Sequence, residues 1–141
     1  MRSFLKSRSE RGAAAIELAL LLPLLVLLIF GMIEFSLLMY NRQVITNASR
    51  EGARAGIVQR DLSVPGSQIV QEITDAVNQY CEDRLITFGA PNNPVLIVSG
   101  EGGGFGTDLT VRLTFNYGFL VLNSFGFDPV QLAAQTVMKN E

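Results

Sequence analysis

The stretch from Gly12 to Ile33, GAAAIELALLLPLLVLLIFGMI, decides the fold of this chain. About 20 apolar residues, each rising ~1.5 Å in an α-helix, cross the ~30 Å hydrocarbon layer of a bilayer. Pro23 lies inside this run and favours a kink, which membrane helices tolerate. Glu17 also lies inside it, and inserting such a carboxylate costs roughly 2.5–3.5 kcal/mol. An apolar anchor has no need of that charge, so we expect Glu17 to have a function.

Charge divides the chain into a basic start and an acidic remainder. The net charge is −2, yet residues 12–141 carry seven Lys or Arg against twelve Asp or Glu. The positive-inside tendency keeps the start in the cytoplasm and places the C-terminal part outside, and an acidic exported part argues against nucleic acid as a partner. A cleaved signal peptide is the competing interpretation, but no small-residue site follows the apolar run. Four basic residues precede that run: Arg2, Lys6, Arg8 and Arg11.

The helical pattern continues beyond the apolar run, because apolar and small residues recur at spacings of three and four up to about residue 58. Ala48, Gly52 and Gly56 form a stripe of small residues that allows close approach of another backbone. That backbone belongs either to the chain's own domain or to another subunit. We expect four charged residues to fix the orientation of this helix: Glu34, Arg50, Glu51 and Arg54.

The remainder predicts a small domain. Residues 67–85 have the apolar stripe of a second helix with Ser67 as its N-cap. Residues 117–128, YGFLVLNSFGFD, are too apolar for an ordinary exposed loop, and they either complete the core or face a membrane or a partner. Strands are expected over residues 95–99, 107–116 and 130–138.

The predicted fold class is therefore α+β and membrane-anchored. A long N-terminal transmembrane helix continues outside the membrane and leads into one further helix and an antiparallel sheet of about three strands. The predicted divisions are a leader at residues 1–12, a helix at 13–58 that spans the membrane over about 13–36, and an extracytoplasmic domain at 59–141.

Composition argues against an enzyme. The chain has no His and a single Cys, Cys81, which lies in the apolar stripe of the second helix and is expected to be a buried thiol. The glycine-rich residues 100–106 lack the Lys-Ser/Thr pair of a phosphate loop, and a strand follows them, so they predict a hairpin loop. We expect no catalytic residue, no metal site and no cofactor. A carboxylate pair for hydrolysis, or a calcium- or sugar-binding loop, has little support.

Residues 12–17, GAAAIE, resemble the cleavage signal of class III-type prepilins, and residues 11–54 resemble the TadE-like pseudopilin family of tight-adherence pilus systems. The basic leader, Glu17, Pro23, the Glu34-Phe35 pair and the NASREGAR segment at residues 47–54 carry the resemblance. It implies that a membrane prepilin peptidase cleaves between Gly12 and Ala13, making Glu17 the fifth mature residue. Glu17 would then neutralise the new amine on Ala13, in its own chain or in a neighbour.

The resemblance implies a minor pilin-like protein in the bacterial cytoplasmic membrane, with a single span and its domain outside. Its expected partners are membrane lipid, prepilin peptidase, other pilin-like subunits and the pilus assembly machinery. The alternative is a full-length membrane anchor or adaptor of a secretion or assembly machine. Processing between Gly12 and Ala13 distinguishes the two.

Overall fold

The computed structural model describes residues 3–58, 64–88 and 93–140, with side chains from Gly12 onward. The expected α+β fold is confirmed. The basic side chains of the leader lie outside the described part. In chain order the elements are helices α1 (Ser3–Ile57) and α2 (Gly66–Glu82), strands β1 (Val95–Ser99) and β2 (Asp108–Tyr117), a 3-10 turn (Leu122–Phe125), and strand β3 (Val130–Lys139).

Helix α1 has 55 residues and is therefore ~82 Å long at ~1.5 Å per residue. It begins at Ser3 rather than at residue 13, so the leader continues the helix, and Pro23 lies within it without ending it. Its most apolar window has a mean hydropathy of 2.7, with none of it buried, in a helix long and apolar enough to cross a membrane. The C-terminal half contributes to the core of the domain.

Helix α2 is amphipathic, with its buried residues four apart: Ile69, Ile73, Val77 and Cys81. The prediction of Ser67 as the N-cap is wrong. Pro65 takes that position in an extended conformation, and its carbonyl accepts hydrogen bonds from the amides of Gln68 and Ile69. A backbone carbonyl and the fixed φ of proline therefore start this helix without a side-chain cap.

The sheet is antiparallel, with β2 in the centre between β1 and β3. Its register pairs Leu113 of β2 with Leu96 of β1 and with Ala134 of β3. Alternate residues of β2 from Leu109 to Tyr117 are buried, as the period of two predicts. The glycine-rich residues 100–106 join β1 to β2. Gly100 has a φ of +86°, and a Cβ at this position would collide with the carbonyl oxygen of Asp108.

Strand β2 runs along α1 in the opposite direction. Leu109 at its start packs beside Gly56, and Val111 lies beside Gly52. Farther along, the buried Phe115 and Tyr117 form a second apolar cluster, whose α1 members include Ile45. The β2–β3 hairpin therefore points its tip, residues 118–129, back towards the apolar half of α1.

Residues 117–128, for which the sequence left two roles open, divide into a buried start and an exposed second half. Tyr117 is fully buried, and the ring of the half-buried Phe119 meets it edge-on at 5.6 Å between centroids. Beyond them Phe125 and Phe127 are exposed. The segment completes the core at its start and presents apolar side chains to the surroundings in its second half.

Candidate functional site

The first part of the candidate site is the bare N-terminal half of α1. Gly12, Ala13 and Glu17 are all exposed on the helix surface. A Cβ built on Gly12 would have no atom within 4 Å, so none of the described residues packs over the expected processing position. Among the described residues the Glu17 carboxylate has neither a hydrogen-bond nor an ion-pair partner. Within its described part, the structure thus presents an accessible glycine and, five residues later, a carboxylate without a partner.

The second part lies at Glu34, where α1 meets the domain. Following α1 from Gly12, Glu34 is the first buried residue. One carboxylate oxygen accepts a hydrogen bond from the backbone N–H of Leu120, which ties the hairpin tip to the helix. The other carboxylate oxygen is buried and has no partner in the described part of the chain. Glu34 is therefore an internal connector rather than a surface charge.

The Tyr117 hydroxyl is also buried and lacks a hydrogen-bond partner among the described residues. Desolvation by burial, with a further contribution from the negative charge of Glu34, raises the pKa of Tyr117 to about 12. Both causes favour the neutral phenol. A buried carboxylate and a buried phenol thus share this end of the core, each with unused hydrogen-bonding capacity.

Two more buried polar residues of α1 join it to the domain. The Asn41 amide donates to the carbonyl of Ile86 at 2.8 Å and accepts from the N–H of Ile86 at 2.9 Å. Ser49 Oγ lies 2.7 Å from Thr136 Oγ1 of β3 and 2.9 Å from the carbonyl of Thr46. Together with Glu34, these residues connect α1 to the segment after α2, to β3 and to the hairpin tip.

The stripe of small residues faces the chain's own domain. Ala48, Gly52 and Gly56 are all buried. A Cβ on Gly52 would lie 2.6 Å from Val77 Cγ2, and one on Gly56 would lie 2.5 Å from Leu109 Cδ2. Real Cβ atoms do not approach that closely, so both glycines are required for α2 and β2 to pack directly against the α1 backbone. Of the two alternatives from the sequence, the structure shows the packing within the chain.

The other charged residues of α1 remain outside this contact. Arg50, Glu51 and Arg54 are exposed. Their expected role in orienting the helix would therefore be directed at something beyond the domain core. No group of three His, Cys, Asp or Glu side chains suited to a metal ion occurs among the described residues. Burial raises the pKa of the Cys81 thiol to about 11, which makes it a poor nucleophile.

The importance of Asn41, Ser49 and Tyr117 was not predicted from the sequence. Asn41 is fully buried. A signal was present in the spacing. Glu34 and Asn41 continue the stripe of Ala48, Gly52 and Gly56 towards the N-terminus, at helical intervals that also include Ile45.

These features define a class of protein: a helix with a bare apolar half, whose other half forms the spine of a small α+β domain. The family model for TadE-like proteins matches residues 12–54. The match confirms the resemblance seen in the sequence over this segment. It begins at Gly12 and includes Glu17, Glu34 and Asn41. No curated protein and no solved structure matches the chain.

Proposed function

We propose that this protein is a minor pilin-like subunit, a pseudopilin, that acts in the assembly or initiation of a tight-adherence pilus. In this proposal α1 spans the cytoplasmic membrane with the leader inside and the domain outside. Prepilin peptidase removes the leader after Gly12. The mature helix then meets the helices of other pilin-like subunits within the bilayer or the nascent pilus.

The observation that supports the proposal best is the agreement between the family match and the apolar part of α1. The TadE-like match begins at Gly12, where the apolar run of the sequence also begins, and the large apolar side chains of that run are exposed up to Ile33. Every residue in that range is exposed except Gly31, which is half-buried. A membrane helix that is free over this length is available for lateral contacts with other helices.

The position of Gly12 also suits processing. A peptidase must open the helix locally to reach the peptide bond, and glycine in a helix interior is about 1 kcal/mol less favourable than alanine. Nothing packs over Gly12 in the described structure. Local opening at this position therefore breaks only helical hydrogen bonds and leaves the domain core intact.

The test is the intact mass and the N-terminal residue of the protein from its native membrane, in cells with and without an active prepilin peptidase. We expect a mature chain that starts at Ala13 only where the peptidase is active. Gly12→Leu should prevent cleavage. Gly31→Leu is the matched control, since a Cβ at Gly31 would likewise have no atom within 4 Å, and it should be processed normally.

A full-length chain in cells whose peptidase cleaves another prepilin would contradict the processing step. The protein would then be the alternative, an unprocessed single-pass anchor or adaptor of the assembly machine. The domain would still be outside the membrane in that case, so protease protection of the intact cells would not distinguish the two roles.

A further inference from the structure

The hairpin tip lies where the bare half of α1 ends. At ~1.5 Å per residue, residues 13–33 cover about 32 Å, which is close to the ~30 Å thickness of the hydrocarbon layer. Glu34 follows directly, and its carboxylate holds the N–H of Leu120. The backbone of the tip is therefore fixed at the level where the helix leaves the hydrocarbon.

The tip is apolar and open at this level. Leu120, Phe125 and Phe127 are 47%, 64% and 57% exposed. Asp128 is the single charged residue in the sequence from Tyr117 to Val130. Gly126, at φ +84°, caps the 3-10 turn and turns the chain between the two phenylalanines. Exposed aromatic side chains gathered in one loop are unusual on a surface that meets only water.

A neighbouring segment adds to the same surface. Phe88 is 39% exposed and borders a cleft together with Gly118 and Pro129, at the two ends of the tip. Phe35, on the outward side of α1 next to Glu34, is exposed as well. The apolar surface of the tip therefore lies at the same height along α1 as the end of the helix's own apolar surface.

We propose that the hairpin tip, residues 118–129, inserts its apolar side chains into the outer interface of the membrane that α1 crosses. The tip contacts lipid, since it lies beside the end of the span and carries aromatic and aliphatic side chains of the kind found at bilayer interfaces. The domain then has two membrane contacts, the helix and the tip. The hydrogen bond from Leu120 to Glu34 joins the tip to the helix and fixes the orientation of the domain relative to the bilayer.

The inference rests on the proposed membrane insertion of α1. An experiment with single tryptophans tests the insertion of the tip separately from the insertion of the helix. The chain has no Trp, so one introduced Trp reports one position. Phe125→Trp probes the tip. Leu24→Trp probes the span. Phe105→Trp is the matched aqueous control, since Phe105 is 91% exposed in the glycine-rich loop at the opposite end of the sheet.

The full chain is reconstituted at low protein-to-lipid ratio in phosphatidylcholine–phosphatidylglycerol vesicles, with bromine on the acyl chains either near the headgroup or near the bilayer centre. We expect headgroup-proximal bromine to quench Phe125→Trp about fivefold more strongly than Phe105→Trp. Bromine near the centre should quench Leu24→Trp best. Phe127→Trp provides a second probe of the tip if Phe125→Trp alters the circular dichroism spectrum.

Three outcomes overturn the inference. In the first, iodide quenches Phe125→Trp and Phe105→Trp equally, while brominated lipid quenches Leu24→Trp. This result would place the tip in water and would leave the insertion of α1 intact. A tip Trp shielded from iodide but insensitive to brominated lipid is covered by protein, such as a second copy of this chain. Failure of lipid to quench Leu24→Trp refutes insertion of the helix, and with it both proposals.

Discussion

Asn41 uses its amide to satisfy both backbone groups of one distant residue, Ile86. Replacing it with alanine leaves the N–H and the carbonyl of Ile86 without these partners inside the domain. Since an unsatisfied buried polar group costs about 1–3 kcal/mol, we expect Asn41→Ala to lower the free energy of unfolding by about 2–4 kcal/mol. Asn47→Ala is the control on the same helix and should change it by less than about 0.5 kcal/mol.

Denaturation of the full chain in detergent, followed by near-ultraviolet circular dichroism, gives both values. The near-ultraviolet signal reports the tertiary packing of the domain rather than the helicity of the span. Equal effects of Asn41→Ala and Asn47→Ala would mean that the contact with Ile86 contributes little to stability.

The raised pKa of Tyr117 predicts how the stability of the fold changes at alkaline pH. Its pKa is about 12 in the folded protein against 10 for an ordinary tyrosine. Above pH ~10 the unfolded state loses the phenolic proton and the folded state keeps it, so the folded state binds more protons. Stability is therefore retained below pH ~10 and falls as the pH rises towards 12, by up to about 1.4 kcal/mol per pH unit.

Tyr117→Phe should remove this part of the pH dependence. It should cost little at neutral pH, because the hydroxyl has no hydrogen-bond partner among the described residues. Tyr40→Phe is the control, since Tyr40 is exposed, and it should leave the alkaline slope unchanged. The measurement is the midpoint of thermal unfolding from pH 8 to 11, and identical slopes in the two variants would contradict the assignment to Tyr117.

At the scale of elements, the contact between α1 and the layer of α2 and β2 depends on two glycines. A methyl group on Gly56 would meet Leu109 Cδ2 at 2.5 Å and Ile73 Cδ1 at 2.7 Å, and both of those side chains are fully buried. Overpacking of this kind costs about 1–3 kcal/mol, and the better helix propensity of alanine offsets about 1 kcal/mol of it. Gly56→Ala should therefore destabilise the domain by up to about 2 kcal/mol.

Gly31→Ala is the matched control for this prediction. It has the same gain in helix propensity and open space around the new methyl group. Its midpoint of unfolding should be unchanged or slightly higher, measured in the same detergent. A Gly56→Ala variant as stable as Gly31→Ala would show that Ile73 and Leu109 can move aside freely.

Periodicity predicted these elements because it is a local property of the sequence. The alternation from Leu109 to Tyr117 and the stripe of α2 each specify a buried face, whichever partner covers it. Polar connections are different. Glu34 meets a residue 86 positions away in the sequence, and Asn41 one 45 positions away. Nothing local distinguishes such residues from solvated ones, apart from their place in an otherwise apolar stripe.

The same limit applies to the stripe of small residues. Ala48, Gly52 and Gly56 showed that a close contact exists, but spacing alone cannot identify the backbone that approaches. The structure identifies that backbone's surroundings, because side chains of α2 and β2 pack directly against the stripe. One consequence concerns assembly: in the described fold the domain already occupies this stripe, so the stripe is not free for the helices of other subunits.

At the scale of the whole molecule, one helix has two environments. From Gly12 to Ile33 its residues are exposed apart from the half-buried Gly31, and from Glu34 onward one face belongs to the core. The domain covers one face of α1 from Glu34 onward, so it begins where the apolar stretch ends and no bare stalk separates them. Any movement of α1 along its axis during assembly therefore moves the domain and its apolar tip as one body.

In the proposed function, Glu17 connects the bare half of α1 to the assembly of subunits. In a lone subunit its carboxylate has no partner in the described structure, and its insertion costs roughly 2.5–3.5 kcal/mol. In the proposed function, pairing with the Ala13 amine of a neighbour would offset that cost after processing, once subunits meet. Glu17→Gln removes the charge and keeps the shape, so we expect normal insertion and cleavage but at least about tenfold weaker co-purification with other pilin-like subunits.

Glu51→Gln is the control for this prediction, because it removes an exposed carboxylate of the same helix outside the bare half. It should be cleaved and should co-purify like the unaltered protein. Quantitative mass spectrometry of affinity-purified membrane complexes measures both properties in one sample, since the mature N-terminus reports processing. A Glu17→Gln variant that co-purifies as well as Glu51→Gln would refute pairing with the amine, whereas loss of cleavage would assign Glu17 to recognition by the peptidase.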